Sequence, residues 1–80
     1  MSASNERKAM RAKMEALADD IIALEAMAGE LGEAGADLAE QPGAEALRTM
    51  ARRKRVQALE RRGQLAALRE EYAARFHPQQ

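Results

Sequence analysis

With 80 residues, 13 basic and 13 acidic side chains and no cysteine, the chain has room for one small domain and excludes disulfides and thiolate metal sites. Its zero net charge argues against any bulk electrostatic pull toward nucleic acid or membrane. Tyr72 and Phe76 are the only aromatics, and nineteen alanines with 32% charged residues match the bias of long helices and coiled coils.

Residues 1–5 read as a flexible N-terminus without the apolar core of a signal peptide. Asn5 is a plausible N-cap, and Glu6 stands where the helix dipole favours an anion. Helix 1 is expected over 6–40. Met10, Met14, Leu17, Ile21, Leu24, Ala28, Leu31, Gly35 and Leu38 recur at alternating spacings of four and three, an unbroken heptad stripe. Gly29, Gly32 and Gly35 each cost about 1 kcal/mol relative to Ala in a helix interior. Two readings of 29–35 therefore compete: a continuous helix, favoured because the heptad survives to Leu38, or a fraying into a longer connection.

Gln41-Pro42-Gly43 is the clearest break, since proline removes a donor and pushes its predecessor out of the α region. Helix 2 is expected over 44–76. At about 100° per residue, Leu47, Met50, Leu65, Leu68, Tyr72 and Phe76 share one face. Lys54, Ala58 and Arg61 interrupt the same stripe. Pro78 should stop the helix and leave 77–80 as a tail. No apolar run approaches the roughly 18–20 residues of a membrane span, so a cytoplasmic protein is expected.

Charge links the two helices. Residues 1–40 carry four Lys/Arg against nine Asp/Glu, whereas residues 41–80 carry nine against four. Folding at Pro42 makes antiparallel neighbours whose numbers sum to roughly 84, because both helices rise equally per residue. Lys13 then stands level with Glu70 and Glu71, Asp19 and Asp20 with Arg61 and Arg62, Glu30 with Lys54 and Arg55, Glu33 with Arg52, and Asp37 with Arg48. These pairings select an all-α antiparallel two-helix hairpin. A lone pair of helices buries only one stripe each, so a coiled-coil-like four-helix bundle, completed by a homodimer or by docking on a larger assembly, is expected.

Functional candidates are few. The helix–helix core is expected to be Met10, Met14, Leu17, Ile21, Leu24, Leu31, Leu38, Leu47, Met50, Leu65, Leu68, Tyr72 and Phe76. Arg48, Arg52, Arg53, Lys54, Arg55, Arg61 and Arg62 form a basic set that could meet a partner or the phosphates of RNA or DNA. No aromatics interleave for base stacking, and consecutive charges point all round a helix, so pairing within the hairpin is the plainer reading. Glu15, Asp19, Asp20, Glu25, Glu30 and Glu33 form a possible acidic partner-binding face. Met10 and Met14 are core residues rather than soft-metal ligands, and His77 has no catalytic neighbours in sequence. Phosphate loops, nucleophile elbows and zinc spacings are absent, so no enzyme activity, metal or cofactor is expected.

Met10-Arg11 through Leu17, Asp20-Ile21-Ile22 and Leu24 resemble the first helix of the all-α chorismate mutases. That resemblance implies cationic substrate-holding side chains further along the helix, where this chain has no Lys or Arg between Lys13 and Arg48. Ala28-Gly29, Leu31 and Asp37-Leu38-Ala39-Glu40 are similar to part of the Rop-like helical hairpins encoded with nitrogen-fixation genes, which implies a hairpin shape. The expected function is a small non-enzymatic hairpin mediating protein–protein interaction as an adaptor, chaperone-like protein or inhibitor. The alternative is a nucleic-acid-binding hairpin dimer using the basic helix.

Overall fold

The structure, a computed structural model, describes residues 3–76. Met1, Ser2, His77 and the expected stop at Pro78 lie outside the described residues. Helix α1 spans Ala3–Leu38 and α2 spans Ala44–Phe76. They pack side by side as an all-α hairpin whose extents are 58 × 21 × 13 Å. That length fits a straight 36-residue helix, about 54 Å long.

α1 starts at Ala3, so Asn5 lies inside the helix and not at its cap, and helix occupies part of the stretch read as flexible. It runs unbroken through all three glycines. At Gly35 the small residue serves packing, since a Cβ there would sit 3.4 Å from the carbonyl oxygen of Ala44 and 3.5 Å from the Cβ of Leu47. Gly29 has open space around it and is carried by the helix on either side. The helix ends two residues before Glu40 because Ala39 turns left-handed, with φ 54°. Hydrogen bonds from Ala39 N to Ala36 O and from Gln41 N to Leu38 O close the turn. Gly43, at φ 96°, turns the chain into α2, and Arg48 Nη2 donates 3.1 Å to the Ala39 carbonyl. That carbonyl lies just beyond a last helical turn with no basic residue of its own.

Contacts across the hairpin confirm antiparallel packing. Arg75 pairs with Glu6, Arg11 donates to the Tyr72 hydroxyl, Arg62 pairs with Glu25, Arg61 with Asp20, and Arg48 reaches Ala39. The numbers of these partners sum to between 81 and 87.

The core changes character along the rod. Near the open end Leu17, Ile21, Leu65 and Tyr72 are buried, with Met14, Ala18 and Leu68 packed against the leucine and isoleucine cluster. The rings of Tyr72 and Phe76 lie 5.1 Å apart, and the guanidiniums of Arg7 and Arg75 cap Phe76. Toward the turn the buried positions are Ala28, Gly35, Ala44, Ala51 and Ala58. Small residues there let the two main chains approach closely.

Met50 falls outside the core. It is 44% exposed, and Ala51 takes the buried position instead. A straight helix repeats every 3.6 residues, whereas two helices packed along their whole length keep the same residues facing at a period of 3.5. In α2 that period selects Ala44, Leu47, Ala51, Lys54, Ala58, Arg61, Leu65, Leu68 and Tyr72, all buried or half-buried.

Candidate interaction surfaces: the two edges of the hairpin

The heptad gives the hairpin two edges, and contacts between the helices assign residues to each. On one edge α2 carries Arg48, Arg55, Arg62 and Arg69, seven residues or about 10.5 Å apart. Opposite them stand Gly32, Glu25 and Ala18 of α1, and Ala39 just past its end, at the same interval. Arg48 binds the Ala39 carbonyl, and Arg55 Nη2 lies 3.3 Å from where a Gly32 Cβ would stand. Arg62 donates two nitrogens to Glu25, and Arg69 shares a cleft with Ala18. Neighbouring clefts share lining residues, so they form one furrow from Arg11 and Glu15 to the turn. Ala18, Gly32 and Ala39 leave room for arginine stems beside the buried alanines, and the exposed Ile22 and Leu59 line the same furrow. This is the arginine edge.

The opposite edge carries the half-buried stripe Leu24, Leu31 and Leu38 of α1 and Leu47, Lys54, Arg61 and Leu68 of α2. Arg61 reaches Asp20 at 3.8 Å, which places Asp20, and therefore Met27 seven residues later, on this edge. Arg75 contacts Glu6 and Glu71 here, and Met50 lies three heptads before Glu71. Met50, Gln57, Gln64 and Glu71 recur here every seven residues on α2, a row without a cation. Met27, 38% exposed, and Met50 flank them in the half nearer the turn. Leu24, Met27, Leu31, Leu38, Leu47 and Met50 form the apolar part of this leucine edge.

The basic set divides accordingly. Arg48, Arg52, Arg55 and Arg62 line the furrow, Lys54 and Arg61 sit in the half-buried stripe of the leucine edge, and Arg53 is exposed. Arg69 and Arg11 also line the furrow, and the recurrence at 48, 55, 62 and 69 was the signal for Arg69 that attention to the consecutive run 52–55 passes over. Of the acidic set, Asp20 and Glu25 pair with α2 on opposite edges, and Glu15 lines the furrow without an ion pair among the described residues. Asp19, Glu30 and Glu33 are exposed.

Most of the expected pairings between the helices are therefore not made. Arg48 and Arg52 turn to Glu45 of their own helix, at 2.9 and 3.7 Å, in place of Asp37 and Glu33. Level heights do not suffice. Glu30, Glu33 and Asp37 each follow a core residue by two positions, about 200° around α1 and away from α2. Lys13, Arg53, Lys54, Arg55 and Arg69 have no ion pair among the described residues.

No three potential metal ligands cluster among the described residues, and no described helix is long and apolar enough to cross a membrane. Comparison with protein-family models, curated proteins and solved structures finds no match. The two partial resemblances noted above therefore carry no family assignment.

Proposed function

We propose that the chain is a non-enzymatic interaction protein whose leucine edge receives helices from a partner, completing a bundle that the hairpin begins. The observation that carries this reading is the contrast between the edges. On one side arginines run between the buried alanines and two isolated exposed residues, Ile22 and Leu59, whereas on the other a continuous stripe of half-buried leucines runs beside two methionines. Methionine is adaptable and suits helix-docking surfaces. Two helices form an open layer, and further helices on the leucine edge would give those side chains a second set of neighbours.

The test uses a tagged chain at native expression level and measures its complex size in extract. Met27→Asp with Met50→Asp places carboxylates on the edge at exposed positions, leaving the hairpin's buried residues intact. The expected result is a wild-type complex well above 8.8 kDa that collapses toward that mass in the double variant. A wild-type chain migrating at its own mass, or a complex indifferent to the substitutions, would refute the reading.

The arginine edge favours one second reading. Arg55 and Arg69 lack carboxylate partners among the described residues, and a row of guanidiniums suits a phosphate backbone. Nucleic-acid binding by this edge predicts affinity that falls steeply with salt and disappears when Arg55 and Arg69 become Gln. Absent or salt-insensitive binding disposes of it.

A further inference from the structure

We infer that the occupant of the leucine edge is a second copy of this chain. It is related to the first by a two-fold axis parallel to the helices, so that α1 of each copy lies over α2 of the other. Both turns then stand at the same end. The inference rests on the docking role proposed for that edge and names its partner.

Rotation about an axis parallel to the helices leaves every residue's height unchanged. Residues level within one hairpin, whose numbers sum to 81–87, are therefore also level between the copies. Along the rim this sets Lys13 of one copy against Glu71 of the other, and Glu30 against Arg53. Lys13, Glu30 and Arg53 all lack an ion pair among the described residues. The same rule places Met50 against Ala34 and Ala67 against Ala16, all exposed in the single hairpin. Exposed alanines let the layers approach, and the half-buried leucines close the space between the rims. All neighbouring helices run antiparallel, so their dipoles oppose.

The rival two-fold, perpendicular to the helices, stacks α1 on α1 and α2 on α2. Centred on the leucines, it brings Glu30 beside Glu30 and Lys54 beside Lys54. Like charges at the contact argue against it. A symmetric contact of that kind through the other edge would lay one arginine row upon another.

The test measures two distances by pulsed electron resonance. The chain has no cysteine, so Gln41→Cys at the turn and Lys8→Cys near the open end can each carry one spin label at an exposed site. The parallel axis predicts both separations within roughly 40 Å, because the layers lie about 10 Å apart and only the bundle width and label reach add to that. The perpendicular axis forces at least one separation above about 45 Å wherever it crosses the rod, since the sites lie about 50 Å apart along it. Separately, Glu30→Arg and Arg53→Glu should each weaken dimerisation roughly tenfold. Mixing the two variants should restore it, because every exchanged charge then meets its opposite, and circular dichroism checks that each hairpin stays helical.

A chain monomeric at high micromolar concentration overturns the second copy, and the complex size in extract then decides the docking reading by itself. One long separation, or a mixture that fails to recover, overturns this arrangement while the leucine edge stands. A dimer indifferent to Met27→Asp and Met50→Asp overturns both.

Discussion

Ala39 ends α1 in a left-handed conformation with φ 54°, a region that costs an L-residue about 1–2 kcal/mol. Gly29 and Gly63 have the reverse problem, since both lie within helices and a Cβ on either would meet nothing within 4 Å. Glycine in such a position costs about 1 kcal/mol relative to alanine. Opposite substitutions should therefore stabilise the chain at different places. Gly29→Ala, Gly63→Ala and Ala39→Gly are each expected to raise the thermal midpoint by several degrees, roughly 0.5–1 kcal/mol apiece. Gly43→Ala should lower it, because φ there is 96°. Thermal melts followed by circular dichroism check all four.

The helices themselves differ in how much of their facing stripe is apolar. In α1 the heptad is hydrophobic or small from Met10 to Leu38, whereas in α2 Lys54 and Arg61 occupy half-buried positions of the leucine edge. A cation at such a place selects register at a cost in stability. Lys54 forms no ion pair among the described residues, and Leu31 stands opposite it in the stripe. Lys54→Leu is accordingly expected to stabilise the hairpin by about 1 kcal/mol and to increase self-association on that edge. Urea melts and sedimentation read the two effects, and a destabilised or unchanged variant would show that the Lys54 stem already fills the stripe.

As a whole molecule, the hairpin is a thin rod, 13 Å in its smallest extent. None of its described polar or charged residues is buried, and its buried hydrophobic set includes four alanines. Small cores of this kind give modest stability alone. If the second copy supplies the missing surface, the thermal midpoint must rise with protein concentration, because association then stabilises the folded state by mass action. A midpoint constant over a hundredfold range of concentration contradicts a dimer that dissociates as it melts.

Sequence periodicity was enough for the two helices, the turn at Pro42 and the antiparallel register, because each follows from local backbone chemistry and equal rise per residue. The α1 stripe from Met10 to Leu38 was legible for the same reason. Tertiary structure decided the azimuth. Two helices in contact follow a 3.5-residue period, which exchanged Met50 for Ala51, whereas Glu30, Glu33 and Asp37 were already turned from α2 by standing two residues after Ala28, Leu31 and Gly35. Tertiary structure also decided which edge the arginines line, since that depends on whether long stems at 48, 55, 62 and 69 find small residues beside them. One-dimensional spacing carries height along a helix, but the angle around it is settled only when a neighbour is in place.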